Sequence, residues 1–154
     1  MKLCIVIFGL SFAFRFPFSA YTLNLVDWSS CGTDQDLLQV SNIRLHPDSP
    51  KRGENVDILV SGHLNTAIST GGKLNIEAKF GKIPVYKGTL DFCDFLDRLE
   101  LMERCPLQAG PVQLQKMVVL PSMMLSGEYN VMIRGEDENS RQIGCVNVKL
   151  TITK

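Results

Sequence analysis

Residues 71–92 read GGKLNIEAKFGKIPVYKGTLDF, and the alternation inside this stretch decides the fold class. Leu74, Ile76, Ala78 and Phe80 fall on one side of an extended chain, while Lys73, Asn75, Glu77 and Lys79 fall on the other. A period of two with one apolar side predicts a β-strand laid over a core. Phe80-Gly81-Lys82 breaks the pattern, and IPVYKGTLDF then resumes an extended, apolar-rich run. Two strands joined by a tight turn follow from that reading.

Working outward, the same texture covers most of the chain. Upstream lie LLQVSNIRLHP and NVDILVSGH; downstream lie VQLQKMVVLP, GEYNVMIRG and IGCVNVKLTI. Val56, Ile58 and Val60 are in phase in one run, and Val146, Val148, Leu150 and Ile152 in another. In the first run Leu38, Val40 and Asn42 share a face, but Gln39, Ile43 and Leu45 break strict alternation. Seven runs are separated by turn-rich segments such as HPDSPKRGEN, STGG, PSMMLSGE and GEDENSR. Short alternating strands at this spacing predict an all-β antiparallel sandwich in one domain. Only residues 94–104 read as helical, with Phe95, Leu99 and Met102 on a common face.

Residues 1–20 are set apart from that domain, which is expected to span 21–154. Lys2 precedes an apolar run from Leu3 to Phe14, and small residues follow at Ser19 and Ala20. That layout predicts a cleaved secretory signal peptide, too short in its apolar part to cross a bilayer of about 30 Å. Cleavage would remove Lys2 and Arg15, leaving 14 basic against 16 acidic residues, a formal charge of −2. A near-neutral chain without a basic run offers no footprint for nucleic acid. Of five cysteines, Cys4 would leave with the leader, and Cys31, Cys93, Cys105 and Cys145 would remain. An even number in a secreted chain favours disulfides, of which four cysteines allow three pairings. Chain order suggests Cys93 with Cys105 as a local staple and Cys31 with Cys145 as a tie between the ends. On loop entropy these would contribute about 3 and about 5 kcal/mol.

Chemical sites find little support. Cys93 and Cys105 are too far apart for a zinc knuckle, and His46 and His63 are the only histidines. The chain has no C-x-x-C and no G-x-S-x-G. Asp91, Asp94, Asp97, Glu100 and Glu103 read as a solvated loop face rather than a carboxylate pair. Gly71-Gly72 reads as a turn rather than a phosphate cradle, because no helix follows. Neither enzymatic activity nor a cofactor is expected. The unusual feature is Met123-Met124-Leu125 between Pro121 and Gly127, consecutive apolar residues where a turn tip is expected.

The order of WSSCG, LQVSNIRLHPDSPKRGENVDI, GGKLNIEAKFGKIPVY, DFCD, CPLQAG, LPSMMLSGEYNV and IGCVNVKLTI resembles the ML lipid-recognition family. That family includes the Niemann–Pick type C sterol carrier, also called an epididymal secretory protein. The double glycine, CPLQAG and GEYNV look most similar to fungal phosphatidylglycerol/phosphatidylinositol transfer proteins. The resemblance runs from Asp27 to the C-terminus. It implies an immunoglobulin-like sandwich with a lipid cavity between its sheets, and the disulfides Cys31–Cys145 and Cys93–Cys105. A further small disulfide of some members has no counterpart, because HPDSPKRG lacks cysteine.

It also implies candidate site residues. Lipid contacts would come from Val56, Ile58 and Val60, from Ile76 and Phe80, and from Val85 and Tyr86. Further along they would come from Val118, from Val131 and Ile133, and from Val148. Tyr86 falls where the sterol carrier has a pocket aromatic, and Arg52 near a basic residue at its pocket mouth. Lys51 and Arg52 are thus the headgroup candidates, and Met123, Met124 and Leu125 would touch a membrane at the mouth. The function implied is a secreted, vacuolar or lysosomal carrier, monomeric and non-enzymatic, moving phospholipid or sterol between membranes. A lipid-presenting adaptor for a receptor, or an adhesion module with a filled core, would share the same strand pattern.

Overall fold

The computed structural model describes residues 24–97 and 105–154. The expected signal peptide, and residues 98–104 of the expected helix, lie outside the described residues. The seven runs form the long strands β3 (Leu38–His46), β4 (Asn55–Leu64), β5 (Lys73–Phe80), β6 (Ile83–Asp91), β7 (Gly110–Val119), β8 (Gly127–Glu136) and β9 (Gln142–Ile152). Two strands too short to show a period precede them, β1 (Asn24–Leu25) and β2 (Asp27–Ser30). A helix, α1, spans Phe92–Asp97, two residues ahead of its expected start. The Asp91 carboxylate accepts from the Cys93 and Asp94 amides at 2.9 Å and caps that start.

The strands make two antiparallel sheets, one ordered β1-β3-β4-β7 and the other β2-β9-β8-β5-β6. The quoted alternation fixes which side of β5 faces inward. Leu74, Ile76, Ala78 and Phe80 pair with Gly135, Ile133, Val131 and Tyr129 of β8. The opposite face is polar: Lys87 Nζ lies 2.7 Å from Glu77 Oε1, and Thr89 Oγ1 donates to Asn75 Oδ1 at 2.8 Å.

The broken alternation in β3 has a structural cause. Val40 pairs with Gly62 but Asn42 pairs with Ser61, so Ser41 is an extra residue in a β-bulge. The bulge shifts the phase, and Ile43 and Leu45 join Leu38 and Val40 on the inner face. Gly62 is required opposite it, since a Cβ there would stand 2.6 Å from the Gln39 carbonyl oxygen.

The two cysteine pairings suggested by chain order are present. Cys31 and Cys145 have Cα atoms 4.9 Å apart, and Cys93 and Cys105 5.7 Å apart. Beside the first bridge, the buried Asp36 carboxylate accepts from Gln142 Nε2 at 2.9 and 3.0 Å and from the Thr33 hydroxyl at 3.1 Å. These bonds pin the β2–β3 loop to β9. Beside the second, α1 and the loops around it close one end of the sandwich. Leu37, Leu64, Ile68, Leu74, Phe92, Leu96, Leu107 and Ile143 are packed there as a continuous buried cluster.

Candidate functional site: a cavity between the sheets

Between the sheets lies a cavity of about 460 Å³. One wall is built by β3, β4 and β7, through Leu38, Val40, Ile43, Leu45, Ile58, Val60, Leu114 and Val118. The facing wall comes from β5, β8 and β9, through Leu74, Ile76, Val131, Ile133, Val146, Val148 and Leu150. Phe92, Phe95 and Leu96 of α1 close its inner end. Most of the lining comes from alternate residues of the strands, so the period that predicted the sandwich also makes the lining largely apolar.

Of the expected lipid contacts, Ile58, Val60, Ile76, Val118, Val131, Ile133 and Val148 stand in this wall, and the others do not. Val56 is buried beyond it, opposite Val118 in the β4–β7 ladder. The Phe80 ring packs on Tyr129 instead, with centroids 5.1 Å apart and planes at 56°. Val85 falls at a second bulge, where Ala78 pairs with Tyr86 but Lys79 pairs with Pro84. This leaves Val85 half exposed and without a ladder partner. Tyr86 is on the inner side of β6, but its ring folds back over Gly88, and a Cβ at Gly88 would collide with the Tyr86 hydroxyl. Strand phase alone anticipates neither displacement.

Met123 and Leu125 are exposed at 89% and 60%, at the tip of the β7–β8 turn. Tyr129 Oη donates to the Leu125 carbonyl at 3.0 Å and holds that turn to the sandwich. Lys51 and Arg52 are exposed on the β3–β4 turn and do not line the cavity. The Arg52 amide donates to Thr153 O at 3.3 Å, and Leu120 N donates to Glu54 O at 3.0 Å, so this turn sits beside the Met123 tip.

Several lining residues were not anticipated. Ile43 and Leu45 needed the bulge, and Phe95 and Leu96 needed the position of α1. Lys116 was legible: it alternates with Leu114 and Val118, yet a lysine in an apolar phase is easily passed over as a strand-edge charge.

Among the described residues there is no grouping of histidine, cysteine or carboxylate side chains suited to a metal ion. No helix there is long and apolar enough to cross a membrane.

Comparison with known proteins agrees with this architecture. A phosphatidylglycerol/phosphatidylinositol transfer protein of Kluyveromyces lactis is 35% identical over 118 residues, which cover 75% of this chain and 68% of the relative. Among solved structures, a Niemann-Pick type C2 protein from Japanese carpenter ant superposes with a TM-score of 0.66 at 13% identity, covering 82% of this chain and 98% of that one. Chicken MD-1 complexed with lipid IVa superposes with a TM-score of 0.56 at 15% identity, over 80% of this chain and 87% of that one. At such identities the two structures speak for the fold alone. The family model of the ML domain matches residues 25–152, and the chain belongs to the ML domain family.

Proposed function

We propose that this protein is a lipid carrier of the secretory lumen or the extracellular space. It lifts one amphiphile from a membrane, shields its hydrocarbon between the two sheets, and releases it at another membrane. The observation that carries this reading is the apolar cavity of about 460 Å³, a size typical of small-molecule sites. An adhesion module would need that space filled.

The driving force is ordinary apolar transfer. Each methylene removed from water stabilises the complex by about 0.8 kcal/mol, so sixteen represent roughly 13 kcal/mol before losses of motion. Acyl chain or sterol would lie against Ile58, Val60, Ile76, Val131, Ile133 and Val148. Phospholipid is the favoured cargo, because the Kluyveromyces relative carries phosphatidylglycerol and phosphatidylinositol in its name. Contact with the donor membrane is made by Met123 and Leu125. The basic turn residues Lys51, Arg52 and Lys82 at the same end favour an anionic surface. The protein acts as a monomer and does no covalent chemistry.

Native mass spectrometry of protein from a eukaryotic secretory host, followed by lipid extraction, tests the reading. A stoichiometric lipid adduct is expected, and it is lost in Ile133→Trp, which places an indole in the cavity. A protein that stays empty when offered both phospholipid and sterol vesicles would refute the carrier. Bound lipid without transfer between vesicles, together with a stable receptor complex, would point to a lipid-presenting adaptor instead.

A further inference from the structure

Among the described residues, Lys116 is the only charged one in the cavity lining. It is half-buried on the inner face of β7, between Leu114 and Val118, and its strand partner on β4 is Ile58. Among the described residues its ammonium meets no carboxylate and no hydrogen-bond acceptor. A cation in an apolar wall without an internal counter-charge costs stability unless its stem lies along the wall and its head reaches water.

The topology provides such an outlet. β7 ends one sheet and β6 ends the other, and no ladder joins them. The opposite edges, β1 and β2, are joined through Val26 alone, which places β6 and β7 on the same side of the sandwich. Lys116 lies three residues inside the Val119 end of its ladder, and Tyr86 three residues inside the Ile83 end of the facing one. Both ends belong to the same end of the molecule: the turn after Val119 leads into β8, whose Glu128 carbonyl accepts from Gly81 N at 3.1 Å. Gly88 leaves room for the Tyr86 ring on the inner face of β6. An ammonium and a phenol therefore flank the gap between the two sheet edges, above an otherwise apolar interior.

We propose that Lys116 is the specificity-determining residue for an acidic amphiphile, with the Tyr86 hydroxyl as second donor. The acid, a phosphodiester or a carboxylate, is held in the β6–β7 gap, and its hydrocarbon points inward toward α1. This rests on the carrier reading above and narrows it. The headgroup is recognised at the edge of the cavity wall rather than at the Lys51–Arg52 turn.

The test offers the full-length protein vesicles containing equimolar dioleoyl phosphatidylglycerol, oleic acid and dioleoylglycerol. Occupancy by each lipid is read by native mass spectrometry. The wild type should favour the two acids over the neutral lipid. Lys116→Met, which keeps the stem, should lower the acid-to-neutral ratio about tenfold, the size of one charge-assisted hydrogen bond. Lys116→Arg should preserve the ratio. A fall for only one acid identifies phosphodiester or carboxylate as the group recognised. If the methionine variant does not fold, the wild type still decides, because about tenfold more salt must erode an ionic preference. An unchanged ratio in Lys116→Met, or a fall confined to a Lys51→Met/Arg52→Met variant, overturns the assignment and leaves the carrier intact. A wild type that binds none of the three lipids removes the carrier reading itself.

Discussion

The two ends of this sandwich are built from the same kind of strand and finished in opposite ways. At the α1 end the strand termini and loops bury Leu64 and Leu96 to 1% and 0% exposure, and the Cys93–Cys105 bridge lies against that cluster. At the other end Val56, Tyr129 and Ile152 are buried, yet every large exposed apolar residue of the described chain is found there. Ile83, Val85 and Tyr86 occupy the start of β6, Met117 and Val119 the finish of β7, and Met123 and Leu125 the turn beyond. A soluble sandwich gains nothing in stability from that second arrangement. The contrast teaches that folding is secured at one end and that the other is left free to meet apolar matter.

If that division holds, the largest loss should come from the covalent and packed parts. Replacing Cys31 and Cys145 by serine should lower unfolding free energy by about 5 kcal/mol, the loop-entropy value for a separation of 114 residues. Leu64→Ala should cost about 2–5 kcal/mol in a denaturant titration, because its cavity would open in a fully packed cluster. Both variants, where they fold, should still take up lipid.

Asp137, on the β8–β9 turn at the α1 end, gives an intermediate effect with a pH signature. Burial alone would raise its carboxyl. The Arg141 and Asn139 amides at 2.8 and 2.9 Å and the Arg141 guanidinium outweigh burial and hold it below the ordinary 3.8. The stability it supplies is therefore present above the ordinary value and lost as pH falls through the lowered folded one. Asp137→Asn should cost about 1–2 kcal/mol at neutral pH. The gap between variant and wild type should close as acid protonates the native carboxyl. A gap independent of pH would mean that the turn is held by its backbone alone.

The smallest change in stability belongs to the exposed end. Met123→Ser/Leu125→Ser should shift unfolding by no more than about 0.5 kcal/mol, as surface substitutions do. It should nonetheless slow lipid transfer between vesicles. A destabilisation comparable to that of Leu64→Ala would erase the distinction between the ends.

What the sequence revealed follows the same division. Alternation exposed the seven long strands, and four cysteines in chain order gave both bridges, since period and order are local properties. The phase slip in LQVSNIRL was visible as a flaw in the pattern, but its resolution at Ser41 depends on pairing with β4. Likewise Phe80, Val85 and Tyr86 share the apolar character of cavity residues. They were displaced from the wall by a ring contact, a bulge and a neighbouring glycine, none of which strand phase encodes. Lys116 carried a plain signal, a charge in the apolar phase of VQLQKMVV. Its meaning emerged only once β7 was seen to be an edge strand.

The short strand β2 has a practical consequence. Its Trp28, the sole tryptophan of the chain, stands directly opposite Val148 in the ladder, on the strand face that continues the cavity wall. The molecule thus contains its own optical gauge: the indole emission should shift when hydrocarbon replaces empty space or water beside Val148. Occupancy can then be followed in real time on unlabelled protein.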